Sequence, residues 1–589
     1  MNQILNIKRV YTATSLAVFT YLILRACLVP PVHDEAATFM HYIQRNEWMP
    51  FKAHWDANNH ILNSFLSAIF FKMFGQHLWS LRLASLLFFP LYAFFVFKIS
   101  TFLKHKNVQV GFLAGMLLVH NLMEYFAYAR GYAMSMALLM GSIYFALKYF
   151  QSFEAKKLAP FYIFSALALI ANLTLFNTTL ILHGIIFLSF LKNKNSWGLK
   201  VFYLILGAIP IIFVAYLSLE MKKLGLLYYG SNKGFYDVTV WSLVILIYDN
   251  WQPVIGIFFV VLSMLSFGFL FGGGFKEKIS IWFFSDRWFF ASLFIGNIAA
   301  TFLLQLIMKV NYPEDRTAMY FYFFLVMFFC FSLDYLSRKG LSNLGLVWLV
   351  FPLHFIVNIN LSHSSYWWYE HLPDSFYREV KKRAGDHPEK MSVGGYVLTE
   401  MIWTYYNKQN GGYLNDLQTK DYPSFYYDYL ILYDDNSNAF AQDHYNTLLV
   451  SPISGLRLME RKEKIQLDPV FEFTHPDILN DTSEFINFIE QDSLKKYKNL
   501  CVDFSCHFQN SDPFFYGFIT LNASLQGNGL IESQEFHYFR AEWNKGYDFH
   551  HRIYMEDISK SYDRVVLYFW NPRKKVINMT NIKVQLLKW

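Results

Sequence analysis

The feature that most constrains this chain is a succession of apolar runs, each close to 20 residues long, that recurs through roughly its first 360 residues. Hydrocarbon offers no hydrogen-bond partner to backbone N–H and C=O. Such runs can therefore cross a bilayer only as helices, which satisfy their own backbone, or as closed barrels. At 1.5 Å per residue, about 20 residues span the roughly 30 Å apolar core, so the run length fits helices. Reading for such runs predicts eleven spans, at about 8–29, 79–103, 109–125, 131–150, 158–174, 176–192, 198–218, 252–273, 286–309, 316–336 and 342–361. Charged residues make up 16% of the chain, against roughly 25% in soluble domains, which is a membrane composition.

The first run is too long for a signal-peptide core, carries Arg25 inside it and is followed by further spans, so it reads as a transmembrane helix. Cytoplasmic loops collect Lys and Arg. Lys8 and Arg9 precede the first span, and Lys104 and Lys106, Lys156 and Lys157, Lys192 and Lys194, Lys276 and Lys278, and Arg338 and Lys339 follow every second one. The N-terminus is thus expected inside and the C-terminal part outside, with Lys222 and Lys223 against the pattern. The net charge of +7 is explained by these loops and forms no basic stripe, which sets nucleic acid aside. The expected location is a bacterial inner (cytoplasmic) membrane, with periplasmic C-terminal domains.

After the last apolar run the composition turns water-soluble. SVGGYVLTEMIWTYYNKQ and YDYLILYDD give a strand, a helix and an apolar strand, which predicts a small α/β domain over 362–465. CVDFSCHF, YGFITLNASL, DRVVLYFWNP and INMTNIKVQLLKW alternate between polar and apolar residues and are separated by Asn, Gly and Pro. They predict a jelly-roll-like β-sandwich over 466–589, behind a transmembrane domain at 1–361. The four cysteines have no zinc spacing. Cys501 and Cys506 would stand roughly 16 Å apart on a straight strand, so free thiols are expected.

Polar residues gather where the predicted spans end on one side of the membrane. His33, Asp34 and Glu35 follow the first span, in an outer loop of about 30–80. In the same loop Asp56, Asn58, Asn59 and His60 precede HILNSFLSAIFFKMFG, which is too short to span and reads as an interfacial helix, making the loop a lid on the membrane surface. Arg82 opens the second span. Glu124, Arg130 and Tyr132 lie at a turn between spans, and Glu314, Asp315 and Arg316 open the tenth. Each has a plainer reading as a helix cap, a snorkelling cation or an anchoring collar. His183, inside an apolar span, reads as a hydrogen-bonded core histidine.

Together the clusters supply carboxylates, amides and guanidiniums at one membrane face. A carboxylate can take the proton of an attacking hydroxyl, and arginines can hold a departing phosphate in bidentate fashion. No nucleotide-binding glycine loop is required for such chemistry, and GGGF at 272–275 is an inner loop.

DEA at 34–36, NNHILNSFL at 58–66, the seven-residue step from Gly75 to Arg82, ARGYAM at 129–134 and DRTAMYF at 315–321 together resemble the membrane glycosyltransferases of the C superfamily (GT-C). The branch is that of protein O-mannosyltransferases and the lipid A aminoarabinose transferase. The resemblance covers about the first 360 residues. It implies a polyprenyl-phosphate sugar donor, inversion at the anomeric carbon, and a catalytic carboxylate at Asp34 with Glu35 as second acid. It further implies that Arg130 and Arg316, with Arg82 and Tyr132, hold the donor phosphate. His33, Asp56, Asn58, Asn59, His60 and Glu124 would then be substrate-loop residues. The implied acceptor is a hydroxyl of a protein or glycan, the alternatives being a lipid such as lipid A, or a polytopic transporter or flippase in place of an enzyme. Members of the superfamily differ in metal use and no D-x-D motif accompanies Asp34, so a divalent metal is left open.

Overall fold

The computed structural model describes the chain apart from residues 1, 54, 192–196, 249–251, 273–278, 337–339, 386–390, 411–413, 415–416, 420–425, 434–440, 493, 495–496, 511–516, 528–529, 541–546 and 556–563. The basic loops of Lys192 and Lys194, Lys276 and Lys278, and Arg338 and Lys339 lie outside the described residues, as does most of GGGF. The chain forms two compact units. One comprises Met1–Val29, His41–Ile43 and Glu47–Tyr366, the other Pro30–Met40, Gln44–Asn46 and Trp367–Trp589. The loop expected to form a lid is thereby divided: its first stretch belongs to the second unit.

Among the described residues of the first unit, eight helices are long and apolar enough to cross a membrane: Ile7–Leu28, Leu78–Ser100, Gly131–Ser152, Leu173–Phe190, Trp197–Lys223, Pro253–Gly272, Asp286–Met308 and Asp315–Leu336. Each answers one of the eleven predicted spans. The other three differ in form. The span expected at 109–125 is a pair, Lys106–Leu117 and His120–Ala127, bent by 53°. Beyond the break, His120 Nε2 meets the Tyr21 hydroxyl at 2.7 Å and Asn121 donates to Leu246 O at 2.9 Å. The span expected at 158–174 is the helix Leu158–Ala171, whose 14 residues cover only about 21 Å. The span expected at 342–361 is a 3₁₀ segment, Leu341–Leu349, running into the helix Val350–Val357. A 3₁₀ turn rises about 2 Å per residue, so the Leu341–Leu349 segment is longer per residue than an α-helix.

Gly131–Ser152 and Asp315–Leu336 are almost wholly buried and form the centre of the unit. Trp197–Lys223 presents Ile205, Ile209 and Ile212 outward, a row that water would not tolerate and lipid does. Helix Ile61–Phe74 is inverted in the same sense: it buries Asn63, Ser64 and Ser67 and exposes Ile69, Met73 and Phe74. Ser67 donates to Leu81 O at 2.8 Å. This is a membrane protein.

In the second unit, fourteen strands form three sheets among the described residues. β1 (Val393–Gly395), β2 (Gln418–Thr419), β3 (Tyr429–Tyr433), β4 (Tyr445–Val450) and β5 (Leu456–Arg461) order as β2-β1-β3-β5-β4, with β1 parallel to both neighbours and the rest antiparallel. Helices Asp374–Ala384 and Val397–Gln409 accompany this sheet.

A two-sheet sandwich follows, built from β6 (Asp468–His475), β7 (Ile478–Asp481), β8 (Phe485–Asp492), β9 (Leu500–Gln509), β10 (Phe518–Gly527), β11 (Leu530–Arg540), β12 (Tyr547–Met555), β13 (Arg564–Trp570) and β14 (Ile577–Lys588). Its sheets, β11-β10-β13-β8 and β12-β9-β14-β6 with β7 beside β14, are antiparallel throughout. Inward residues alternate along β13, where Val565, Leu567 and Phe569 are buried, as the period of two requires. Strand β9 is buried on both faces, because one lines the sandwich core and the other packs on the α/β sheet. Cys506 belongs to the first cluster and Cys501 to the second, and all four cysteines are free.

The tightest packing in the membrane unit joins helix Lys106–Leu117 to the 3₁₀ segment Leu341–Leu349. A Cβ placed on Gly111 would lie 1.8 Å from Gly345 O, and one on Gly345 would lie 2.7 Å from Val108 Cα. Backbones approach this closely only where both residues lack a side chain, the usual device for helix association in lipid. Gly111→Ala is expected to destabilise the purified protein by about 3 kcal/mol, the upper end of overpacking costs. Gly184→Ala, at a site with open space around it, serves as the comparison and should leave thermal unfolding in detergent nearly unchanged.

Candidate functional site

Four of the five predicted clusters lie in the membrane unit, and a run of tyrosines connects them. The segment that supplies it is EYFAYARGY, where a short helix (His120–Glu124) and a 3₁₀ turn (Tyr125–Ala127) hand over to helix Gly131–Ser152. Arg130 sits in extended backbone as that helix's N-cap. Its side chain is buried and donates to the Asn58 carbonyl at 3.3 Å and to the Asn58 side-chain oxygen. Its guanidinium lies 5.6 Å from the Tyr132 ring centroid. Tyr132 packs edge-on to His60 at 4.4 Å and to Tyr125 at 5.6 Å. The glycine between Arg130 and Tyr132 is required by space: a Cβ on Gly131 would come within 2.2 Å of Ala171 O and 2.8 Å of the His60 side chain.

The Asp56–His60 stretch folds on itself. Asp56 Oδ1 accepts from Asn58 N at 2.8 Å, an Asx turn. Asn59 donates to Trp48 O at 3.2 Å and accepts from Ser64 at 3.1 Å, and His60 Nδ1 meets Ala171 O at 2.9 Å. Asp56 and Asn59 line a small cleft with Trp55, Leu173, Leu217 and Met221.

Asp315 and Arg316 form a second polar centre. Arg316 pairs with Asp315 Oδ2 at 3.1 Å, donates to the Tyr229 hydroxyl at 2.6 Å and lies 4.5 Å over that ring. Asp315 also accepts from Tyr366 at 3.0 Å and from Tyr229. Its φ of +41° is a strained conformation for a residue with a side chain, of the kind that persists where surrounding contacts enforce it. Burial, reinforced by the Asp315 carboxylate, pushes the Tyr229 hydroxyl pKa up, so the phenol stays protonated as a donor. Burial and the like charge of Asp315 also raise the Glu314 carboxyl. Tyr125 is in electrostatic reach of Asp315, Arg316 and Tyr366, which joins this centre to the Arg130 cluster.

Two predicted residues have structural work instead. Arg82 is fully buried and donates to Val29 O at 2.7 Å and to Arg25 O and Ala26 O at 3.3 Å. It therefore does not snorkel: it satisfies the free carbonyls at the C-terminus of the first helix, where a cation is favoured. Its guanidinium also faces the Tyr128 ring at 5.7 Å. Glu124, expected in a substrate loop, forms a buried ion pair with Arg25 at 2.9 Å and accepts from Tyr128 at 2.9 Å and from the Ser365 hydroxyl and N–H at 2.6 and 3.1 Å.

Arg25 completes this network through Asn360 O at 2.6 Å, His363 O at 2.9 Å and the Tyr21 and Tyr128 hydroxyls. It is a residue that sequence reasoning weighed only against a signal peptide. An arginine inside an apolar span was itself the signal. His183 is the hydrogen-bonded core histidine expected, 2.8 Å from Ser165.

The remaining cluster lies in the second unit, in helix His33–Thr38. Glu35 is buried and accepts from Val32 N at 3.3 Å, capping its own helix. His33 N donates to Glu370 at 2.9 Å and its Nδ1 meets Leu398 O at 3.1 Å. Asp34 is half-buried. Among the described residues no group of three or more His, Cys, Asp or Glu gathers to hold a metal, and no step below passes through one.

No protein-family profile and no curated protein matches the chain. Among solved structures, it is similar to ArnT from Cupriavidus metallidurans, in the apo state and bound to undecaprenyl phosphate. Identity is 10% for both, over 78% and 77% of this chain and 98% of that one, with TM-scores of 0.32 and 0.33. It is also similar to the arabinosyltransferase EmbB from Mycobacterium smegmatis, at 10% identity over 98% of this chain and 64% of that one, with a TM-score of 0.33. At these TM-scores the likeness carries no argument, and the reading below rests on this chain's residues.

Removing one member of a buried ion pair strands the other in a low dielectric, at a cost of about 3–5 kcal/mol. Arg25→Ala and Glu124→Leu should each destabilise the protein by that amount in detergent-based unfolding. The double variant Arg25→Met with Glu124→Leu should cost less than either single change. Additive losses would show that the two side chains do not depend on each other.

Proposed function

We propose that the protein is an inverting glycosyltransferase that moves a sugar from a polyprenyl-phosphate donor to a hydroxyl of a protein or glycan acceptor at the outer face of the inner membrane. The observation that carries the reading is the set of guanidiniums, buried at Arg130 and partly buried at Arg316, at helix ends in an apolar unit. Arg130 and Arg316 each lie against a tyrosine ring. Cations are expensive in such surroundings and mark where an anionic group is handled. A lipid phosphate is the anion that reaches such a place from within a membrane, and planar guanidiniums match its oxygens.

In the proposed reaction, Asp34 accepts the proton of the acceptor hydroxyl as its oxygen forms a bond to the anomeric carbon. The bond from that carbon to the phosphate oxygen breaks with inversion, and the polyprenyl phosphate leaves with the electron pair. Arg130 and Arg316 stabilise the charge that grows on the leaving phosphate. Tyr132 and Tyr229 supply ring faces for the guanidiniums, and Tyr229 a protonated hydroxyl. Arg82 and Glu124 take positioning roles, through the first helix and through Arg25.

Purified protein incubated with polyprenyl-phosphate sugars should release the sugar from the lipid when acceptor is present. Asp34→Asn should retain donor binding and turn over at least about 100-fold more slowly, the scale of a lost general base. Arg130→Gln should raise the KM for donor more than it lowers kcat if the guanidinium binds the phosphate in the ground state. Transport of intact lipid-linked sugar without cleavage would replace this reading with that of a flippase, and equal turnover in wild type and Asp34→Asn would remove Asp34 from the chemistry.

A further inference from the structure

The two outward faces of the sandwich are unlike each other. That of β12-β9-β14 is covered by the α/β sheet, through a cluster including Tyr426, Tyr427, Tyr554, Leu587 and Cys501. The outward face of β8, β13 and β10 is open and carries a cleft of about 500 Å³.

Strand register arranges the side chains of that face in rows. Phe485, Trp570 and Phe518 are paired across one end, Asn487, Tyr568 and Thr520 come next, and Asp492, Arg564 and Ser524 lie at the other end. The Phe485 and Trp570 rings are 6.2 Å apart and only 7° from parallel, with Phe518 5.2 Å beyond Trp570. Phe485 and Trp570 form a parallel pair, with Phe518 tilted by 32° beside it, and the pair is not hidden: Phe485 is 56% and Trp570 37% exposed. The cleft beside it is lined by Asn487, Asn522, Ser524, Arg564 and Tyr568.

Each feature narrows the ligand. Exposed aromatic rings offer apolar faces with a negative quadrupole, suited to the C–H face of a sugar ring. Asn amides supply donors and acceptors together, as hydroxyl groups require, whereas an acyl chain would leave those amides unsatisfied. The Arg564 guanidinium already pairs with Glu490 and, at 3.7 Å, with Asp492, so the face holds no surplus positive charge for an anion. Thr520, in the row of Tyr568, is buried with a hydroxyl that has no hydrogen-bond partner among the described residues. A peptide strand would pair along the β8 edge, whereas the cleft opens on the face of β8, β13 and β10.

The geometry points to a binding site for a neutral oligosaccharide on this face, with sugar rings on Phe485 and Trp570 and hydroxyls on Asn487, Asn522, Ser524 and Arg564. The assignment stands on the sandwich alone and does not require the sugar-transfer reading.

The test is native affinity electrophoresis of the full chain, in a detergent without a sugar headgroup, through gels containing mannan, arabinan or dextran, with polygalacturonate as the anionic comparison. At least one neutral polysaccharide should retard the wild type. Trp570→Ala should weaken the retardation at least tenfold, as should Asn487→Ala, whose side chain is exposed and whose loss leaves the core intact. Asp34→Asn should be retarded like the wild type, which separates this site from catalysis. The proposal is overturned if no neutral polysaccharide retards the protein, if only polygalacturonate does, or if both face variants behave as wild type. It is equally overturned if Trp570→Ala changes only the oligomeric state, since the ring pair would then serve contact with a second copy.

Discussion

The membrane unit depends on how the chain handles charge in a low dielectric, and Arg25 with Glu124 is where that problem is met most fully. An unpaired guanidinium or carboxylate at such a place would cost far more than any single apolar contact returns. Here the pair is closed on itself and is further bonded by tyrosine hydroxyls, a serine and backbone carbonyls. The consequence is topological. The partners come from the first helix, the turn before Gly131–Ser152 and the stretch 360–365, so three distant pieces of chain must meet for any of them to be satisfied. The same turn carries Arg130 and Tyr132, so the ion pair holds the backbone on which the candidate phosphate site is built.

The helical architecture was legible because lipid imposes it: an apolar run of sufficient length has one backbone solution. Eight of eleven expected spans have that form. The other three mark the limit of hydropathy, which reports the medium a segment prefers but not its rise per residue or its straightness. Leu341–Leu349 winds as 3₁₀ and packs its backbone on Gly111, a contact that depends on two glycines 234 positions apart and leaves no periodic trace. The α/β and sandwich strands were legible from alternation, yet the double burial of β9 was not, since its second partner is another sheet.

The candidate site was legible as residue types and hidden as roles. Arg82, Arg130 and Arg316 look alike in sequence, each an arginine at a span end. Their partners separate them: Arg82 closes the carbonyls of a helix terminus, Arg316 faces Asp315 and Tyr229, and Arg130 lies over Tyr132 against an asparagine. Only spatial neighbours distinguish a helix-ending cation from one set beside a carboxylate or a tyrosine ring. Arg25 illustrates the reverse error, a charge weighed only against a signal peptide, when its place inside an apolar span was the information.

The tyrosines share with the carboxylates the task of holding charge in an apolar unit. A phenol ring offers its negative face to a guanidinium and its hydroxyl to a carboxylate, while its edge packs as a hydrocarbon. Tyr128 faces Arg82 with its ring and donates to Glu124 with its hydroxyl, and Tyr229 serves Arg316 and Asp315 in the same two ways. With tyrosine as the intermediary, a guanidinium is held by a ring face as well as by carboxylate or carbonyl oxygens, so the low dielectric is met with fewer acidic partners. That division of labour is what an aromatic-rich membrane unit supplies and an aliphatic one does not.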